Sequence, residues 1–188
     1  MSIVVEDGTG LLTAESYLSL VGFGRYWDAR NPDFDYSGFS DEQIEGALRR
    51  ATSYLDGRYR GRWPGNTVKG RAQALAWPRT GSLTPSNTPF TFLISKFAQD
   101  ADGNDIDNVS VPREIAAACA ELAAREVIEP GVLSPDKVSQ RTLSVSVTGA
   151  VSETYERMGD QRPVVVIVNE LLAALIGGLS NTVLLMRG

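Results

Sequence analysis

The sequence contains no histidine and a single cysteine, Cys119. Without histidine the commonest general base and the commonest metal ligand are missing. This argues against hydrolases of the Ser-His-Asp or Cys-His type and against most zinc sites, leaving carboxylate or lysine chemistry as the enzymatic routes still open. One cysteine cannot close an internal disulfide, which suits a reducing cytoplasm. Long apolar runs are also missing. The longest, Val164–Leu175, is interrupted by Asn169 and Glu170 and is too short to span a bilayer. Met1–Asp7 lacks the basic region and cleavage site of a signal peptide, so no membrane partner is expected. Surplus positive charge is lacking too: 18 Lys and Arg stand against 23 Asp and Glu, a net charge of −5. Any contact with nucleic acid must therefore come from a local patch.

What is present suits a globular domain. A chain of 188 residues, 43% hydrophobic, can bury a core without disulfides or metals. Thr13 is placed to cap a helix over Ala14–Ala29 with Tyr17, Leu20, Val21, Gly24 and Trp27 on one face. Ser40 and Gln43 form a capping-box pattern ahead of a helix reaching about Tyr59, with Ile44, Ala47, Leu48, Ala51 and Leu55 on its apolar face. Residues from about 80 to 111 read as an inserted loop or hairpin with a tip at Asp100–Asn104, where Asp-Gly suits a tight turn. Pro112 opens an alanine-rich helix that Pro130-Gly131 ends. Residues 141–148 alternate Leu143, Val145 and Val147 with polar residues, which predicts a strand and, with 151–156, a hairpin over about 141–157. Pro163 opens a fourth apolar helix that Gly177-Gly178 ends. The expected fold is mostly α: a small helical domain over 1–178, about four helices with β-hairpin and loop insertions, followed by an extended C-terminal arm over 179–188. That arm carries Val183, Leu184, Leu185 and Met186, an apolar strand-like run that would be a liability unless another subunit covers it.

No catalytic or metal site assembles from these residues, and no cofactor is expected. Ser16, Ser53 and Ser110 have no histidine to activate them. Cys119 sits among alanines as a small apolar residue would. Asp100, Asp102, Asn104, Asp105 and Asp107 resemble a calcium loop, but the glycine is one residue early and Val111 stands where the closing glutamate belongs. No glycine cluster fits a phosphate-binding or dinucleotide motif.

The most informative charge feature is basic. Ser40–Thr80 holds eight cations (Arg49, Arg50, Arg58, Arg60, Arg62, Lys69, Arg71, Arg79) against four carboxylates, leaving ten cations and nineteen carboxylates elsewhere. Tyr54, Tyr59, Trp63 and Trp77 are interleaved. One reading is contact with a phosphate backbone, or with bases stacked on the aromatics. The other makes the aromatics core and pairs the arginines with an acidic surface of a neighbouring subunit.

Several stretches together resemble a known family. They are Val4-Val5-Glu6-Asp7-Gly8-Thr9-Gly10 with Ser16-Tyr17, Ala47-Leu48-Arg49-Arg50-Ala51-Thr52-Ser53-Tyr54-Leu55-Asp56, Arg60-Gly61-Arg62-Trp63-Pro64-Gly65, and Gln73-Ala74-Leu75-Ala76-Trp77-Pro78-Arg79. Val111-Pro112-Arg113-Glu114-Ile115 and Ala118–Ala123 complete the set, which spans Val4 to Ala124; Trp-Pro-Arg after Gln-Ala-Leu-Ala is its most specific part. This resembles the phage and prophage family labelled DnaT-like single-stranded-DNA-binding protein. That family is similar to the head–tail connector, or adaptor, proteins of tailed phages. The adaptor resemblance implies a non-enzymatic virion protein, made in the host cytoplasm, that forms a ring of about 12 copies under the portal. Its partners would be itself, the portal protein, a downstream tail or neck protein and the genomic DNA in the channel, contacted without sequence preference. The DnaT-like label implies instead binding to single strands. On the adaptor reading, the arm residues Val183–Met186 would engage the portal or a neighbour.

Overall fold

The computed structural model describes residues 2–81, 83–85, 92–94, 97–134, 142–147, 151–155 and 164–176. Among these residues four helices carry the body: α1 Leu20–Arg30, α2 Asp41–Tyr59, α3 Arg113–Ile128 and α4 Val166–Ile176. Among the described residues, eight short strands form four separate antiparallel pairs: β1 Asn66–Thr67 with β2 Arg79–Thr80, β3 Leu83–Pro85 with β4 Phe92–Ile94, β5 Ala98–Gln99 with β6 Asp105–Ile106, and β7 Thr142–Val147 with β8 Val151–Tyr155. The fold is mostly α with small β-insertions, as the sequence patterning predicts. The expected arm with Val183, Leu184, Leu185 and Met186 lies outside the described residues, as does Pro163, although the fourth helix expected after it is present as α4.

Helix α3 is the centre of the bundle, packed against α1, α2 and α4. Ala118, Cys119, Ala120, Leu122 and Ala123 are fully buried. Such small side chains let α2 approach closely, and its own inward face is Ala47, Leu48, Ala51 and Leu55. The Cys119 thiol lies 3.5 Å from the Thr52 hydroxyl, and burial pushes its pKa up to about 11. Helix α2 begins with the expected capping box: the Gln43 amide donates to the Ser40 hydroxyl while the Gln43 side chain accepts from the Ser40 amide at 2.8 Å.

Helix α1 differs from expectation. It starts after Ser19, whose hydroxyl accepts from the Gly22 amide at 3.0 Å, and not after Thr13. The preceding residues are claimed by a longer-range pairing: Val5 bridges Ser16, and the Glu6 amide donates to the Ser16 carbonyl at 2.9 Å. Local helix preference over 14–18 yields to that pairing. Val21, expected on the inner face, is 70% exposed, and the shifted helix turns Phe23 and Gly24 inward. Gly24 admits Tyr36: a Cβ there would meet the Tyr36 hydroxyl at 2.8 Å.

The tip at Asp100–Asn104 is the expected turn, closing β5 onto β6 with Gly103 at φ +85°. The Asp100 carboxylate accepts from the Asp102 amide and from the amide and side chain of Asn104, which uses it locally as a turn staple.

Candidate functional site

Most of the motifs that carry the family resemblance, those between Val4 and Arg79, converge on one place. Trp77 is completely buried and meets Trp63 edge to face, with ring centroids 5.8 Å apart; Trp63 in turn lies 5.5 Å from Tyr59. The Trp77–Pro78 peptide bond is cis. Beside it the Arg79 guanidinium donates to three carbonyls, those of Pro64 at 2.6 Å, Gly65 at 2.5 Å and Ala76 at 3.1 Å. One side chain thus ties the Trp-Pro-Gly turn after α2 to the Trp-Pro-Arg strand β2. Gly65 is required there: its φ is +64°, and a Cβ would meet the Thr80 carbonyl at 2.0 Å.

A second set of polar groups locks the same region to the N-terminus. The Tyr17 hydroxyl donates to Asp56 at 2.5 Å and accepts from the Trp77 amide at 3.2 Å, while Asp56 also accepts from the Ala76 amide at 2.9 Å. Burial raises the Asp56 pKa against the pull of these donors and of nearby Arg60 and Arg79. Burial, then the Asp56 charge, holds the Tyr17 phenol protonated far above its ordinary range. The Gln73 amide donates to the carbonyls of Leu75 and Pro78. Buried Glu6 gathers the amides of Gly8, Gly10 and Leu11 at 3.0, 2.8 and 2.9 Å. The Glu6-Asp7-Gly8-Thr9-Gly10 motif is therefore a loop organised around a carboxylate.

The eight candidate cations do not form one patch. Arg49 pairs with Glu15 at 3.1 Å and Glu45 at 3.6 Å. Arg50 pairs at 2.7 Å with Glu126, a fully buried carboxylate that also accepts from the amides of Gly131 and Leu133. Arg79 is spent on the three carbonyls. Arg62 stacks on the Tyr59 ring at 5.5 Å. Arg58 lies near the end of α2, and Lys69 flanks the 3₁₀ turn Gly70–Ala72. Arg60 and Arg71 line a polar cleft of about 540 Å³ together with Asp56, Thr67, Gln73 and Arg79. The interleaved Tyr54, Tyr59, Trp63 and Trp77 are all buried. The aromatics are core, so they offer no stacking platform for bases.

Glu6, Tyr17, Asp56, Gln73 and Glu126 were not singled out as site residues from sequence. For Glu6, Tyr17, Asp56 and Gln73 the signal was there only as membership of the motifs, and Glu126 lies outside them, since nothing in a linear charge count separates a buried carboxylate from an exposed one. A different opening lies between two helices of the body. A groove of about 780 Å³ between α1 and α3 is lined by Leu18, Gly22, Tyr26, Ala29, Ala116 and Ala117, with Arg25, Arg30 and Arg113 at its rim.

Compared with known proteins, residues 1–90 and 96–188 match the profile of the family described as "Putative DnaT-like ssDNA binding protein". The chain belongs to that family. No curated protein and no solved structure matches it.

Proposed function

We propose that this chain is a non-enzymatic structural subunit, a head–tail adaptor that forms a ring beneath the portal of a tailed-phage particle and continues the DNA channel toward the tail. The observation that carries this reading is how the fold spends its side chains. Trp63, Trp77 and the best-placed arginines are consumed in holding the N-terminal loop, α2 and the Trp-Pro-Arg strand together. Apolar surface is meanwhile left uncovered on α4 and in the α1–α3 groove. A protein arranged in this way works through contacts with other protein surfaces. Charge is divided in the same sense, with carboxylates on the 97–111 insertion and outward cations around the 60–71 turn, so that unlike surfaces can meet between copies.

A second reading, single-stranded DNA binding, has the family description directly in its favour. Its structural support is the cleft flanked by Arg60 and Arg71, which could seat a phosphate. Size-exclusion chromatography with light scattering, on the full chain alone and mixed with the portal protein of the same phage, separates the two. Co-elution at a defined ratio to the portal ring supports the adaptor. A chain that ignores the portal and binds labelled single-stranded DNA at physiological salt overturns it in favour of the second reading. The adaptor reading also places the arm on the portal or a neighbour, so deleting residues 179–188 should weaken portal binding.

A further inference from the structure

Helix α4 is apolar nearly all round, which is unusual for a helix at the edge of a bundle. Val168, Leu172 and Leu175 face α3, and Leu171 forms part of the α1–α3 groove wall. Successive residues turn by about 100°, which sets Val166, Glu170, Ala173 and Ala174 on the outward side, and all four are exposed. Glu170 is the only charged residue on α4 and has no ion pair among the described residues. The groove has small-residue walls and a mostly cationic rim. Gly22, Ala29, Ala116 and Ala117 keep it shallow-walled enough for a helix to enter closely. Arg113 is paired with Glu114 and Arg30 lies 4.6 Å over the Tyr26 ring, but Arg25 is exposed at the rim with no carboxylate partner among the described residues.

We propose that two copies of this chain meet head to tail, the outward face of α4 from one copy seating in the α1–α3 groove of the next, with Glu170 against Arg25. The occupant comes from another copy because α4 already builds the groove wall in its own chain and turns this face away. Two different surfaces of the same chain are used, so the contact repeats and can propagate into a ring. The inference rests on the assembly half of the adaptor reading and needs no portal.

The test is sedimentation velocity over a concentration series, using the full chain and the variants Glu170→Arg, Arg25→Glu, their combination, and Ala173→Trp. Both altered charges are exposed, so circular dichroism and the urea midpoint should stay at wild-type values. Each single reversal should weaken self-association by about tenfold or more, and the double swap should recover most of it. Ala173→Trp should block seating without changing charge. Multimers indifferent to all four variants would sink this contact while leaving assembly through another surface intact. A chain that stays monomeric at every concentration would also overturn it, and portal co-elution would then judge the adaptor reading separately.

Discussion

Replacing Arg79 by methionine tests whether the Trp-Pro-Arg motif is a lock or a ligand contact. Methionine keeps most of the aliphatic volume and removes the donors. The carbonyls of Pro64, Gly65 and Ala76 then lose their partners, and the Asp56 carboxylate loses a neighbouring cation. Hydrogen bonds from a charged donor contribute about 1.5–3 kcal/mol each. Three made by one group are not additive, and the cost of burying the guanidinium is recovered, so the net loss should be about 3–5 kcal/mol. With a urea dependence of about 2 kcal/mol per molar, the unfolding midpoint should fall by roughly 2 M. Arg79→Lys should sit between the two, because an ammonium cannot fork to three carbonyls. Urea unfolding followed by far-ultraviolet dichroism measures all three proteins. A midpoint within about 0.5 M of wild type, together with lost affinity for DNA or portal, would refute the lock and return Arg79 to the surface role.

Trp77→Ala should cost about 3–5 kcal/mol by opening a cavity beside Trp63, and wild-type unfolding would count against the structural role of the motif. Glu6→Ala leaves three amides without their acceptor and should destabilise the chain by about 1–3 kcal/mol, seen first as faster hydrogen exchange at Gly8, Gly10 and Leu11. Cys119 should resist thiol reagents at neutral pH until the chain unfolds, so its labelling should track the urea transition. Its pKa is raised from 9.0 to about 11, which means the folded state holds the proton more tightly. That contribution is fully present below pH 9 and is lost as pH rises through 11, about 3 kcal/mol in all. Cys119→Ala should flatten this alkaline decline, and an unchanged slope would assign it to other groups.

Legibility followed the range of the interaction. The Ser40–Gln43 capping box, the Asp100–Asn104 turn and the β7–β8 hairpin are set within a few residues, and patterning found each of them. The start of α1 was missed because Thr13 and Ser19 are equally good caps locally, and the choice is made by Val4–Glu6 pairing with Glu15 and Ser16. The basic stretch was legible as a composition but not as an arrangement. Arg49, Arg50, Arg60 and Arg79 look alike in a charge count, yet two are ion-paired, one lines a cleft and one is nearly buried. Their roles depend on Glu15, Glu126 and the carbonyls at 64, 65 and 76, none of which can be paired with them from spacing alone.

The family motifs show the same limit from the other side. They were recognisable as strings, and the fold explains why those residue types recur together in one chain. Glu6 needs amides brought round by Gly8, whose φ of +96° and contact with the Val109 carbonyl leave no room for a Cβ. Tyr17 needs Asp56, Asp56 needs the Ala76 amide, and Arg79 needs the Pro64-Gly65 turn. Each motif supplies what another lacks, so losing one should loosen the others. Double-mutant cycles between Tyr17→Phe and Arg79→Met should therefore show coupling of about 1–2 kcal/mol through Asp56 and residues 76–77. Strict additivity would mean the two bonds sets are independent, and the motif would then be two structural devices rather than one.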